Sequence, residues 1–245
     1  MLDTAARPDS SPAKSLGARF IGVLLSPRET FSAVVGRPQW LMMALVVILI
    51  TGGSQLWFQS TEVGRQATLD ETVRRVESFG VKVSDQMYEG MRKGVMEPST
   101  AQVAFSAVST VVIFPVIWAA IAGLLFLIFG ALMGGAGTFK QLYAVVVHSS
   151  VVTAVGTLIL TPVNYQRASL SSATNFAVFF PFLPEGSFLA RLLGMADVFT
   201  IWWVAVLSIG VAVATRKKTG TAAWVLFGIY GLIALGYAAF MAARS

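Results

Sequence analysis

Five long apolar stretches divide the chain, and polar or glycine-rich segments separate them. They run from Trp40 to Trp57, Val103 to Leu132, Tyr143 to Leu160, Phe199 to Ala214 and Ala222 to Met241. A transmembrane α-helix needs about 20 apolar residues, and these stretches approach or exceed that length. None contains Asp, Glu, Lys or Arg in its apolar interior. The pattern predicts an all-α, polytopic transmembrane helical bundle of about five spans.

Two amphipathic segments precede the first stretch, within a polar N-terminal region of residues 1–38. Leu16, Phe20 and Leu24 fall on one helical face,. Ser26-Pro27-Arg28-Glu29 fits a capping box with proline in the first helical position,. We expect helices that either lie in the inner membrane interface or pack on the spans, and spacing alone favours neither. Residues 39–245 are predicted to form the membrane domain.

The segment between the first two spans, residues 58–102, is predicted to form a helical hairpin outside the membrane. Gly80 is placed as a C-terminal cap of the first helix, and Ser84 opens the second,. A hairpin this small cannot bury its apolar faces alone, so it must pack on the spans, on another copy or on a partner protein. The residues of this candidate partner surface are Leu69, Val73, Val76, Met87, Met91 and Val95.

The composition agrees with a membrane environment and excludes several kinds of site. Hydrophobic residues make up 56% of the chain and charged residues 12%, whereas soluble domains carry about a quarter charged residues. With no cysteine and one histidine, the chain has no disulfide, thiolate site or multi-histidine zinc site. In so apolar a chain, the net charge of +6 indicates contact with membrane lipids rather than nucleic acid. No cofactor is expected.

The total of lysine and arginine residues does not set the orientation, because the two sides of the bundle carry equal numbers. The short loop Thr215–Thr221 holds Arg216, Lys217 and Lys218 beside two spans, and short loops dominate topology. Most basic residues on the other side lie in the middle of a loop, among acidic residues. The sequence therefore predicts a cytoplasmic N-terminus and a C-terminus outside.

A polar stripe marks the third span. His148 is the one ionisable side chain predicted deep in a span, and Ser149, Thr153 and Thr157 recur every four residues after it. These side chains are candidates either for a polar path or for hydrogen bonds across helix contacts, and the helix contacts are favoured.

The sequence holds no constellation of catalytic residues. It lacks paired intramembrane carboxylates, a Ser/His/Asp grouping and a helical His-Glu-x-x-His motif,. Asp197 lies at the start of the fourth span, where capping the helix explains a carboxylate better than catalysis does. We therefore expect no enzyme activity.

Three short motifs occur in a fixed order along the chain. They are Ser26-Pro27-x-x-Thr30-Phe31 before the first span, Gly137-Thr138-Phe139-Lys140 before the third and Asp197-x-Phe199-x-x-Trp202 opening the fourth. A basic loop precedes the fifth span. From Ser26 to the C-terminus, this order resembles the Yip family of Ypt/Rab-interacting membrane proteins, and particularly its bacterial branch.

The resemblance implies a five-span fold in a bacterial cytoplasmic membrane, without catalytic residues. Eukaryotic members are Golgi and endoplasmic-reticulum proteins implicated in vesicle trafficking, Rab recruitment and membrane shaping, and they expose a long cytosolic N-terminal region. Here the region before Trp40 is short, so Rab binding is not carried over.

Two functional hypotheses follow. The first is a non-enzymatic integral membrane scaffold or accessory protein that supports membrane organisation, trafficking or a transport complex, with a protein partner or further copies of itself. The alternative is a transporter, channel or lipid scramblase with a polar path near His148.

Overall fold

The computed structural model describes residues 15–184 and 186–243, which are mainly helical and contain no β-strand. The α-helices within these ranges are, in chain order, α1 (Leu16–Leu25), α2 (Pro27–Gly36), α3 (Leu41–Ser60), α4 (Glu62–Ser78), α5 (Asp85–Met96), α6 (Thr100–Leu125), α7 (Phe139–Ser149), α8 (Val151–Gln166), α9 (Phe188–Met195), α10 (Val198–Thr215) and α11 (Thr219–Ala242). A π-helical segment, Phe126–Leu132, continues α6, and a short 3-10 helix covers Phe176–Phe179.

Five helical segments are long and apolar enough to cross a membrane. They are Leu41–Ser60, Thr100–Leu132, Phe139–Gln166, Val198–Thr215 and Thr219–Ala242. Each contains or closely matches one predicted apolar stretch, so the predicted all-α five-span bundle is confirmed. We call the end where α3 continues into α4 the hairpin end, and the end with the loop between α10 and α11 the basic end.

The third span lies at the centre of the bundle. All residues from Leu142 to Val152 are buried, because α7 packs against α2, α6 and α10, while α8 packs against α3 and α10. The second and fifth spans lie at the periphery and expose most of their apolar residues, which is the distribution expected when lipid is the outer solvent.

The predicted span Tyr143–Leu160 consists of two helices that meet at Ser150. The Ser150 hydroxyl donates to the Val146 carbonyl at 3.0 Å, and the Thr153 hydroxyl donates to the Ser150 carbonyl at 2.7 Å. Such bonds from hydroxyl side chains to the preceding turn compete with the regular helix ladder. They account for the one-residue interruption between α7 and α8.

The helices α1 and α2 pack on the spans. The predicted apolar face of Leu16, Phe20 and Leu24 lies against the core, while Ile21 and Leu25 on the other side of α1 are exposed. That these helices also lie in the inner membrane interface stays a prediction.

The predicted capping box at the start of α2 is wrong. Pro27 is the first residue of the helix as expected, but the Ser26 side chain makes no capping hydrogen bond. Ser26 also closes α1, because its backbone N–H donates to the Gly22 carbonyl at 2.8 Å. Joining two helices through one residue leaves Ser26 outside the extended conformation that an N-cap residue adopts,.

The segment 58–102 contains the predicted helical hairpin, formed by α4 and α5. Ser84 caps α5 by accepting from the Met87 N–H. Gly80 has a φ of +80° and follows the end of α4, as predicted for a glycine C-terminal cap. One residue, Thr61, separates α3 from α4, so the hairpin extends directly from the end of the first span.

Candidate functional site

The first two motifs meet at the basic end, where they join α2 to the spans. The Phe31 ring is fully buried beside Gly210 of α10. A Cβ added at Gly210 would lie 3.1 Å from that ring and 2.5 Å from Val145 of α7, so glycine permits this three-helix contact. The Gln141 amide of α7 donates to the Val35 carbonyl of α2 at 3.1 Å.

The turn before α7 is fitted closely to the end of α10. A Cβ added at Gly137 would lie 3.0 Å from the Ala214 carbonyl oxygen. Thr138 and Gln141 form a capping box at the start of α7, while Phe139 is exposed. These motif residues build a helix junction, and they line neither of the two cavities described below.

Thr30 of the first motif is fully buried, and its hydroxyl has no hydrogen-bond partner among the described residues. It packs directly over Gly22, where an added Cβ would overlap the hydroxyl. The contact lets α1 and α2 approach closely.

The third motif organises the hairpin end through Asp197. One carboxylate oxygen accepts from the Ser172 and Thr174 hydroxyls at 2.6 and 2.5 Å. The other accepts from the backbone N–H groups of Phe199 and Thr200 at 2.9 and 3.2 Å. The predicted capping role is confirmed, and the same carboxylate also ties the loop after α8 to the start of α10.

The pKa of Asp197 predicts how this junction responds to pH. Partial burial alone would raise the pKa, but the four hydrogen bonds outweigh it and lower the pKa below its usual value,. A lowered folded-state pKa contributes stability above the unfolded value of about 3.9, and this contribution is lost as the pH falls from about 4 through the folded pKa. The difference in thermal stability between parent and Asp197→Asn chains should therefore begin to shrink as the pH falls below about 4, and should reach its minimum below the folded pKa. A difference in thermal stability between the two chains that did not change with pH would contradict this role of Asp197.

Phe199 packs on Gly156 where α10 crosses α8. A Cβ added at Gly156 would lie 2.8 Å from Cγ of the Phe199 ring, and the Trp202 ring lies 6.3 Å from that ring, centroid to centroid. We predict that Gly156→Ala destabilises the chain by about 1–3 kcal/mol through overpacking. Thermal unfolding in mild detergent measures this. Gly228→Ala on α11 is the matched control, because nothing lies within 4 Å of the added Cβ, and an equal loss there would contradict the prediction.

The predicted polar stripe lies in two environments. His148 and Ser149 are fully buried. His148 Nδ1 lies 2.8 Å from the Ala144 carbonyl of its own helix, and the His148 Nε2 and Ser149 Oγ atoms have no partner among the described residues. The hydroxyls of Thr153 and Thr157 also donate to carbonyls of their own segment, at 2.7 and 3.0 Å. Both threonine hydroxyls thus use their protons within their own segment, and hydrogen bonds across helix contacts stay a prediction.

Thr153 and Thr157 line a polar cavity of about 480 Å³ in the hairpin half of the bundle. Two stripes with four-residue spacing both line it, one on α3 and one on α8. Their residues are Thr51, Gln55, Gln59, Thr153, Thr157 and Thr161. Phe58, Phe114 and Phe199 supply aromatic walls, and none of the described residues that line the cavity is ionisable. The volume lies within the range of small-molecule sites.

A second cavity of about 370 Å³ adjoins the first, and Gln59 and Thr68 line both. It lies among α3, α4, α5 and the start of α6, and Arg65 is the one ionisable residue in its lining. We call the two cavities together the polar groove. The buried segment Leu142–Val152 fills the core on the basic side of Thr153, so a path past His148 across the membrane stays a prediction.

The candidate partner surface is only partly exposed. Leu69 is fully buried, and α4 packs on both α3 and α5, so the Leu69 side chain is unavailable to a partner. Val73, Val76, Met91 and Val95 are half-buried. Met87 is 39% exposed. The sequence interpretation missed three other exposed residues near the hairpin tip, Phe79, Val81 and Tyr88, which lie outside the periodic faces.

Residues 21–241 match the family model described as the Yip1 domain. The chain belongs to the Yip1 domain family. It is similar to the "Membrane protein YknW" of Bacillus subtilis (strain 168), with 24% identity over 240 residues that cover 96% of this chain and 95% of that protein. No solved structure matches. The resemblance drawn from the three motifs is thereby confirmed.

The sequence reasoning missed the α3 half of the polar groove in this Yip1 chain. Thr51, Gln55 and Gln59 have the same four-residue spacing as the α8 stripe, and two glutamines in an apolar span are a usable signal. No sequence pattern marks Arg65 as a candidate site residue. Only its position in the lining of the groove does so.

Proposed function

We propose that this Yip1 chain is a non-enzymatic membrane scaffold or accessory protein that presents the α4–α5 hairpin to a second protein. The observation that carries the proposal is the exposure of α5. None of its residues, all of which the structure describes, is buried. A helix that is only partly covered within its own chain is available to a partner.

The hairpin is held in a defined orientation. Phe58, Ala67 and Leu69 are buried where α3 meets α4, and the Thr61 hydroxyl accepts from the Gly64 N–H at 3.0 Å. Helix continues into helix with one residue between them. This rigid junction between α3 and α4 lowers the entropy cost of binding, because the hairpin is already ordered before a partner binds.

The hairpin tip has the character of a protein interface. We define the tip patch as the exposed apolar residues Phe79, Val81, Met87 and Tyr88, which are 37–47% exposed. Charged side chains surround it on α5, including the Glu89–Arg92 ion pair at 3.0 Å. An apolar centre with aromatic residues and a charged rim is typical of binding surfaces.

Purification from native membranes in mild detergent, with quantitative mass spectrometry, tests the proposal. The parent chain should recover a second protein in a fixed ratio. Tyr88→Glu should lose it by adding charge within the tip patch. Gln86→Glu is the matched control, because it adds the same charge to an exposed polar position of the same helix. Recovery of the chain alone, or only with its own copies, would overturn the proposal.

We further propose a bacterial cytoplasmic membrane with the basic end and N-terminus inside and the C-terminus outside. In support, the basic end gathers Arg37, Lys140 and the loop Arg216–Lys218 beside the spans, as expected of a cytoplasmic face. Because the chain has no cysteine, single cysteines report sidedness directly. An impermeant maleimide should label Gln86→Cys in intact cells and Lys140→Cys only after lysis. The reverse pattern would contradict this orientation.

A further inference from the structure

The polar groove has the chemistry of a ligand site that does not depend on the accessory role. Hydroxyls of Thr51, Thr153, Thr157 and Thr161 donate to backbone carbonyls of their own segments. Their oxygen lone pairs remain free to accept from a ligand. Gln55 and Gln59 add amide donors and acceptors to the lining.

The first cavity contains a hydrogen-bond acceptor, on Asn164, that the described residues leave unsatisfied. Its side-chain oxygen is buried without a partner among the described residues, and the residue lines the cavity. A buried acceptor left unpaired costs free energy, which a ligand hydroxyl would recover by donating to it. Together with the threonines and glutamines, this oxygen favours a ligand with several hydroxyl groups.

Arg65 makes the polar groove positively charged. Its Nη1 donates to the Ser60 carbonyl at 3.3 Å, while its buried Nε has no hydrogen-bond partner. Within the described residues it forms no ion pair, and no acidic side chain lines either cavity. The guanidinium can pair with a phosphate, for which its geometry is suited, whereas a ligand ammonium would find no counter-ion.

The second cavity also borders the lipid-facing surface. Leu56 of α3 and Val103 of α6 line it and are 39% and 45% exposed. An amphiphile whose phosphate lies at Arg65 would keep its acyl chains against these residues. Its headgroup would then extend past Gln59 and Thr68 into the first cavity, where the walls are uncharged.

We propose that the polar groove binds an anionic phospholipid, with its phosphate on Arg65 and an uncharged, hydroxylated headgroup in the first cavity. The test is competitive lipid retention by the full-length chain, quantified by mass spectrometry. The chain is incubated with equal amounts of phosphatidylinositol, phosphatidic acid and phosphatidylethanolamine carrying the same acyl chains. Phosphatidylinositol should be retained about tenfold over phosphatidylethanolamine, because both lipids carry the phosphate that pairs with Arg65, but the ammonium of phosphatidylethanolamine would lie in a cavity without a counter-ion,. It should also be retained above phosphatidic acid, which lacks the headgroup hydroxyls.

Paired variants separate the phosphate contact from the headgroup contact. Arg65→Gln should lower the retention of phosphatidylinositol about tenfold, because it removes the charge-assisted contact with the phosphate, while Arg74→Gln, at an exposed position of α4, should leave that retention unchanged. Thr157→Val should lower the preference for phosphatidylinositol over phosphatidic acid, while Thr110→Val, outside the groove lining, should not.

Three results would overturn the proposal. Equal retention of phosphatidylethanolamine would exclude recognition of charge, and equal retention of phosphatidic acid would exclude the headgroup contact. Soluble glycerophosphoinositol is the third probe, because it carries the same phosphate and hydroxyls without acyl chains. If it competes as strongly as the lipid, the ligand is a water-soluble phosphate rather than a phospholipid.

Discussion

Replacing Phe31 by alanine is expected to lower the free energy of unfolding by about 3–5 kcal/mol, the range for deleting a buried aromatic ring. The ring is fully buried and lies where Gly210 of α10 and Val145 of α7 approach α2. Alanine would leave a cavity among three helices, and packed helices close such cavities only partially. Denaturant unfolding in mild detergent, followed by tryptophan fluorescence, measures the loss.

Phe182→Ala is the matched control, because Phe182 is 77% exposed and its truncation leaves no internal cavity. It should change the unfolding free energy by less than about 0.5 kcal/mol, as surface substitutions do. Similar losses for the two variants would mean that Phe31 does not fasten α2 to the spans.

Replacing Asp197 by alanine is expected to cost about 3 kcal/mol, because a helix cap and two hydrogen bonds to a charged acceptor disappear together. The hydroxyls of Ser172 and Thr174 both donate to one oxygen of this carboxylate. Without it, the loop after α8 loses its attachment to α10, so the loop should also become more susceptible to proteolysis. Thermal unfolding and limited proteolysis in detergent measure the two effects.

Two variants show whether the Asp197 effect is specific. Asp197→Asn keeps an oxygen that can accept from the backbone N–H groups, so it should lose about half as much as alanine. Asp70→Ala removes an exposed carboxylate that, within the described residues, accepts only from the nearby Gln66 side chain at 2.9 Å, and it should be nearly neutral. A neutral Asp197→Ala would contradict the role of this carboxylate in joining the loop to the span.

The spans were predictable because lipid imposes a simple requirement, a run of about 20 apolar residues. Their ends were less predictable, as the third span shows. The helix begins at Phe139 rather than Tyr143, because Lys140 and Gln141 form a polar first turn that hydropathy does not detect. The capping box of Thr138 with Gln141 follows the S/T-x-x-E/Q pattern and would have indicated this start.

Contacts between helices were not predictable from local pattern. Gly210 is one of 22 glycines, and only its position opposite Phe31 and Val145 distinguishes it from glycines in open space. For the same reason, only one of the two helix faces that line the polar groove was predicted. The α8 stripe was recognised, but whether the α3 stripe faces it depends on the rotation of both helices about their axes.

The hairpin was predictable as secondary structure, while its packing was not. Periodicity predicts that Leu69 lies on an apolar face of α4. Whether the rest of the chain covers that face depends on how α4 packs on its neighbours, which the local pattern does not show. Tyr88 became a stronger candidate than Leu69 only once exposure was known.

Site-specific photo-crosslinking in native membranes tests the central claim, that the tip patch contacts a second protein. A photoreactive residue replaces Tyr88 in one chain and Gln86 in another; both positions are exposed on α5, but only Tyr88 belongs to the patch. We expect a defined adduct with one other protein from position 88 and little or none from position 86. Adducts only with lipid or with the chain's own copies, or equal adducts from both positions, would contradict it.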